Sequence, residues 1–383
     1  MSQAAVDFDC IVVGASFAGL TCATALARTG AKVVVAEKKA DAGDKLHTTG
    51  IIVKDAIDQI ALLDALPRAL CRHIGGVRLY APDLRHIDLA APGYYFLATD
   101  TPNVMRWLAG RASEAGAEIR YQTPFSNAVR DRSGFSVEGI GTTRFLVGAD
   151  GPNSRVAQVV GLGRNRKFLF GVEHEFEGVE IEHPGKLHCF VDRRIAPGYI
   201  AWVVAGVGIT QVGLARRFDE RAPSHSIMPA LLDKIAPVFD FRGRRPTSIR
   251  AGLIPCGGMV SPAASRRALL CGDAAGMVSP VTAGGIHTSL KHGLAAGHAI
   301  ADYLSGRGED PSRAFVRSYP RFRAKRALRF MFDHFQSDAL FNAVLATRAL
   351  RRAAGLVYFH HKGAFDPADT ARSEDAQTDS PLR

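Results

Sequence analysis

The chain has 383 residues, 47% hydrophobic and 22% charged, an ordinary globular composition with length enough for two packed units. Its net charge of +11 is local: residues 313–362 hold eleven Lys/Arg against Asp333 and Asp338, a net of +9, which leaves 11 − 9 = +2 elsewhere and excludes a generally basic catalytic surface. Six cysteines, at 10, 22, 71, 189, 256 and 271, form no CxxC pair and the 13 histidines show no ligand spacing, so neither a disulfide framework nor a metal centre is expected.

The N-terminal "MSQAAVDFD" lacks the basic start and apolar core of an export signal, and a cytoplasmic location is expected. "FDCIVVG" reads as a buried parallel strand, "FAGLTCATALARTG" as a helix stopped at Gly30, and "KVVVAE" as a second strand ending at Glu37. A second helix, "TPNVMRWLAGRASEAGA", stops at Gly116, and a β stretch from about 119 to 147 leads into "FLVGADGPNSRVA". Residues 167–249 are mostly strand-like, with a helical segment near 224–238. Within them the uncharged run 199–215 reads as two strands and a turn rather than a span, being short for a bilayer and rich in Val, Ile and Gly. "RALLCGDAAG" is another apolar strand, and "GGIHTSLKHGLAAGHAIADYL" a long helix. Strand–helix units thus lie at both ends of a β-rich insertion. That predicts an α/β protein with a discontinuous nucleotide-binding domain (1–75, 101–166 and 250–306) and an inserted mixed-sheet substrate domain (76–100 and 167–249). Basic C-terminal helices are expected over 307–363 and a disordered tail over 364–383.

"GASFAG" carries the first chemical signal. Gly14 permits the tight turn out of the strand, Ser16 sits where backbone must approach a pyrophosphate, and Gly19 lets helix and strand pack closely. The helix start offers free N–H groups to phosphate, and Glu37, 23 residues after Gly14, can accept ribose hydroxyls. NAD and FAD both fit that half. "GADGPNS" then places Asp150 after a strand, and "CGDAAGMVSPVTAGGI" places Gly272–Asp273 after another, with Gly284 and Gly285 opening a helix. A carboxylate there can bind a ribitol hydroxyl, and a glycine-rich helix start can stabilise the negative edge of a reduced flavin. NAD has no ribitol, so the second half favours FAD as cofactor.

In this order the three motifs resemble the FAD-dependent geranylgeranyl reductases and the p-hydroxybenzoate-hydroxylase-like flavoproteins, over about residues 8–310. The resemblance implies a Rossmann-like FAD domain of the glutathione-reductase type. It implies that Gly14, Ser16, Ala18, Gly19, Glu37 and Lys38 hold the ADP half. Arg106 in "MRWLA", Val129 and Asp150 would lie along the cofactor, and Gly272, Asp273, Gly284, Gly285 and Ile286 at its flavin end. "KLHTTG" would pass the isoalloxazine through Thr48 and Gly50. "AGLIPCGGM" before the Gly-Asp motif favours the geranylgeranyl reductase branch. There Tyr199 and Trp202 stand at an aromatic pair that the branch often follows with Pro-Lys, here Val-Val-Ala-Gly. The hydroxylase pattern usually carries Arg where this chain has Ala157.

The expected activity is hydride transfer from flavin N5 to a C=C of an isoprenoid or other apolar substrate. Alternatives are an aromatic monooxygenase or halogenase relative using NAD(P)H and dioxygen, and a non-catalytic FAD carrier. One glycine fingerprint only is present, so electrons come from transiently bound NAD(P)H or a protein donor. His47, Cys256 and His287 neighbour the flavin motifs and are candidate catalytic groups, each read more readily as a buried structural residue. Residues 313–362 mix Arg/Lys with Phe, Met and Leu at helical spacing, which suits a peripheral contact with the inner face of the membrane or a helix packed on the body; no nucleic-acid motif accompanies the charge.

Overall fold

A computed structural model describes residues 6–220, 227–320, 322–345 and 347–359; the expected tail 364–383 lies outside them. Its organising element is a mixed sheet whose parallel core runs, in order, Ala268–Leu270, Gly141–Gly148, Phe8–Val13, Val33–Ala36 and Glu118–Arg120. The central strands are β-branched and buried on both faces: Ile11, Val12, Val34, Val35 and Leu146 are wholly inaccessible. One face is covered by the helices Phe17–Ala27, Thr101–Glu114 and Ile286–Leu304. All eleven residues of Phe17–Ala27 are buried, so this helix is apolar all round rather than amphipathic.

Helix Ile286–Leu304 crosses it at backbone contact. A Cβ on Gly293 would stand 2.3 Å from the Ala18 carbonyl oxygen, and one on Gly297 2.5 Å from that of Cys22. The spacing Gly293-x-x-x-Gly297 clears one stripe of the helix for this approach.

The second sheet has seven strands in the order Ser248–Pro255, Phe168–Glu177, Ile209–Arg217, Ala201–Ala205, Lys186–Phe190, Gly76–Tyr80 and His86–Leu89. All its pairings are antiparallel except that of Lys186–Phe190 with Gly76–Tyr80. The uncharged run 199–215 becomes two of these strands with a turn between. Helix Ile227–Ile235 packs its apolar face beneath Phe176, Phe190 and Val212. A three-stranded sheet, Ile51–Val53, Phe96–Thr99 and Cys71–Ile74, bridges the two. The chain passes between the large sheets four times: twice through this bridge, once between 148 and 168, and once between 255 and 264.

Four helices end the described chain: Pro311–Arg317, Arg323–Phe335, Asp338–Val344 and Arg348–Phe359. Arg329, 6% exposed, ties them to the body by donating to the Gly198 carbonyl and pairing with Asp333. Phe359 packs on Tyr94 and Phe96.

Candidate functional site

Parallel strands end in register, so their C-terminal residues share one edge of the sheet. The Gly14 N–H donates to the Ala36 carbonyl, Ala149 N–H to Val13, and Cys271 N–H to Gly148, all at 2.8–2.9 Å. Gly14, Glu37, Asp150 and Gly272–Asp273 therefore lie at one edge of the sheet, the edge at which open α/β sheets form their ligand crevice. Gly272 lies against Ala18 of the first helix, where a Cβ would be 3.1 Å from the alanine methyl. Gly285 lies beside Asp273, its virtual Cβ 3.4 Å from Oδ1.

The turn 14–19 is tight enough to require both glycines. A Cβ on Gly14 (φ +102°) would come within 2.5 Å of the Ala149 carbonyl oxygen, and one on Gly19 within 2.0 Å of the Gly14 oxygen. Ser16 caps the helix: its hydroxyl accepts from the Gly19 N–H at 3.2 Å. Glu37, 5% exposed, accepts from the Ala15 and Lys39 N–H groups at 2.7 and 3.0 Å, which locks the second strand's end to the glycine turn.

The opposite end of the crevice holds acceptors that lack donors. Asp150 Oδ2 accepts from the Val156 N–H at 3.0 Å, but its buried Oδ1 has no partner. No hydrogen bond reaches the Asp273 carboxylate among the described residues, and burial pushes it up to about 6. Two acceptors without donors, at the end of a glycine-cleared helix terminus, fit a ligand carrying a row of hydroxyls and a pyrophosphate. FAD is such a ligand.

Other expected residues are placed less centrally. Arg106 is exposed and its Nε donates to both Asp41 oxygens, at 2.8 and 3.1 Å, beside the loop that follows the second strand. Lys38 is exposed, and Val129, 64% exposed, sits on the outer strand Ala128–Arg130. Gly284 is exposed and Ile286 partly buried at the start of the long helix. The three candidate catalytic groups do not converge. His47 lies over Gly252 with Nδ1 2.6 Å from the Ala251 carbonyl oxygen, and His287 Nε2 is 3.3 Å from Gln59. Cys256 packs among Tyr199 and Ala283, and burial pushes its thiol up.

Between the crevice and the second sheet runs the segment 47–50, held from both sides. Gly50 (φ +79°) turns against Thr99 and Thr101, and the Thr99 hydroxyl donates to the Gly50 carbonyl at 2.7 Å. From the sheet, Arg250 donates to the Thr48 carbonyl at 2.9 Å and Gln211 to that of Thr49 at 3.1 Å. These two side chains are set by a buried acidic pair on the strand between theirs. Glu175 is 2.5 Å from Arg250 Nη2, and the Gln211 amide donates to Glu173 and Glu175 at 3.3 Å. Trp202 donates to Glu173 at 3.0 Å, reaching it across Gly213, whose Cβ would lie 2.4 Å from the indole. Burial pushes the Glu173 carboxyl up, against the opposing pull of Thr49, Trp202 and Arg250. Glu173 and Glu175 share a face, as alternation predicts, with His174 on the other. The sequence reading missed Arg250 and Gln211; the available signal was two acids at i and i+2 within an otherwise apolar strand.

Comparison with known proteins bears on the cofactor and the family. The sequence profile of the "FAD binding domain" family matches residues 7–194. A digeranylgeranylglycerophospholipid reductase of Methanopyrus kandleri is 30% identical, over 82% of this chain and 81% of that protein. The chain belongs to the FAD-dependent geranylgeranyl reductase family. A reductase of the same description from Methanocaldococcus jannaschii is 24% identical, over 86% of this chain and 85% of its own. Among solved structures, a geranylgeranyl bacteriochlorophyll reductase-like protein of Thermoplasma acidophilum superposes with a TM-score of 0.79, at 17% identity, covering 92% of this chain and 97% of that one. A flavin-dependent brominase superposes at 0.71 with 15% identity, covering 97% and 99%. These structural likenesses establish the p-hydroxybenzoate-hydroxylase-like fold. This flavoprotein is thus an FAD-dependent oxidoreductase with the inserted-sheet architecture expected from its motifs. Among the described residues no helix is long and apolar enough to cross a membrane.

Proposed function

We propose that this flavoprotein reduces a C=C bond of an isoprenoid lipid. The observation that carries the reading is the 30% identity to a digeranylgeranylglycerophospholipid reductase, which spans 82% of this chain and so extends well beyond the nucleotide-binding edge. When bound, FAD supplies the hydride at N5. In this reading Gly14, Ser16, Ala18, Gly19, Glu37 and Lys38 hold the ADP half. Arg106, Val129 and Asp150 lie along the cofactor, and Gly272, Asp273, Gly284, Gly285 and Ile286 take the ribityl and ring end. The same reading divides the chain into an FAD unit of 1–75, 101–166 and 250–306 and a substrate unit of 76–100 and 167–249.

Thr48 and Gly50 bring the clamped segment to the ring, and the second sheet shields the reacting carbons from water. Electrons come from NAD(P)H or a protein donor. The basic helices suit a lipid surface: Leu328, Phe330 and Leu340 are 41%, 58% and 56% exposed among arginines. The test is anaerobic reoxidation. Dithionite-reduced protein mixed with geranylgeranyl lipids should regain its flavin absorbance as saturated product forms. Failure of every alkene, alongside oxygenation of an aromatic in air, would sink the reading.

A further inference from the structure

Behind the Asp150 loop lies a groove of about 600 Å³ between residues 152–167 and 257–262. None of its lining residues is acidic, while Arg164, Arg166 and Lys167 all face it. These three are exposed, and no ion pair engages any of them among the described residues. Arg326, from helix Arg323–Phe335, folds its side chain over Gly258 on the far wall. Asn153 and Gln158 add amide donors.

The walls are sewn together, so the groove is preformed. Gly163 N–H donates to Pro262 at 2.7 Å and Cys256 N–H to Lys167 at 3.0 Å. The Asn165 amide donates to the carbonyls of Pro152 and Asp273 at 3.0 and 2.8 Å. Ala274, which follows Asp273 in the chain, forms part of the lining. An occupant would thus lie next to the ribityl end of the proposed flavin site.

We propose that this groove binds the phosphates of a small organic molecule taking part in the reaction. Three lining cations without an ion pair among the described residues, with Arg326 beside Gly258 on the far wall, favour a polyanion, and guanidinium forks match phosphate oxygens in particular. Two molecules of the proposed reaction carry phosphate. A pyridine dinucleotide brings a pyrophosphate, and the chain has no second glycine fingerprint to hold one. A phospholipid substrate brings a phosphate headgroup. The inference rests on the proposed reductase reading.

The experiment is calorimetric titration of the flavin-loaded protein with NADP⁺ and, separately, with glycerol 1-phosphate, for the wild type and for Arg166→Glu/Lys167→Glu. The expected result is a dissociation constant raised at least about tenfold for one probe, with weaker salt dependence, at unchanged flavin content. Loss of NADP⁺ binding identifies the electron donor as occupant; loss of glycerol phosphate binding identifies the headgroup. If the double charge reversal fails to fold, Arg164→Gln/Arg166→Gln/Lys167→Gln serves instead. Equal affinity of variant and wild type for both probes, or binding of neither probe by the wild type, overturns the proposal. Dithionite-driven alkene reduction, which needs no nucleotide, tests the reductase reading separately.

Discussion

Asp273→Asn separates the cost of the crevice from its use. Burial raises this carboxyl from an ordinary 3.8 to about 6, with no donor to offset it. A shift of about 2 units corresponds to about 3 kcal/mol. A raised carboxyl favours the neutral form in the folded state, so the stabilisation is complete below pH 3.8 and is lost as the pH rises through about 6. At pH 8 flavin-free wild type therefore carries an ionised, poorly solvated carboxylate that the asparagine variant lacks. The variant should be more stable by about 3 kcal/mol at pH 8, with the gap closing toward pH 4. Urea unfolding at pH 4.5, 6 and 8 measures this directly. Flavin binding should move the other way. Losing a charged acceptor for a ribityl hydroxyl costs about 1.5–3 kcal/mol, or roughly ten- to a hundredfold in affinity. Parallel unfolding curves for the two proteins across that range, or undiminished flavin affinity in the variant, would refute the placement of Asp273.

Three further substitutions probe the site. Gly19→Ala puts a methyl 2.0 Å from the Gly14 oxygen and should give protein that purifies without flavin absorbance. Ser16→Gly removes only a helix cap, so flavin content should hold and stability fall by a few tenths of a kcal/mol. Gly213→Val displaces the Trp202 indole and removes one of the donors to Glu173, leaving that of Gln211; about 2 kcal/mol of stability should go, with a red shift in tryptophan emission, whereas unchanged emission would show that Trp202 is not where we place it.

What was legible in the sequence was local. Gly14 and Glu37 directly follow short apolar strands, Asp150 and Asp273 come within a turn of two others, and parallel pairing then brings four strand ends to one edge. The clamp on segment 47–50 was not legible. Arg250, Gln211, Glu173 and Trp202 lie on four strands, and the register of Glu173 with Arg250, of Glu175 with Gln211, and of Gly213 with both Glu173 and Trp202 makes them neighbours. Arg106 was expected along the cofactor from its motif; its pairing with Asp41 depends on a loop whose path no local pattern encodes. The same holds for Arg329, which reads as one more surface charge on a basic helix until the fold buries it against Gly198.

The four passages of the chain between sheets bear on how the protein is made. Phe8–Val13 is synthesised well before one of its partner strands, Gly141–Gly148, which follows only some 130 residues later. Gly76–Tyr80 waits likewise for Lys186–Phe190. The first sheet's parallel core is completed by Ala268–Leu270, after the whole second sheet has been synthesised. For much of translation both sheets therefore present unpaired apolar edges. A nascent chain of this topology has a long window in which to aggregate, and no early foldable half to shelter in.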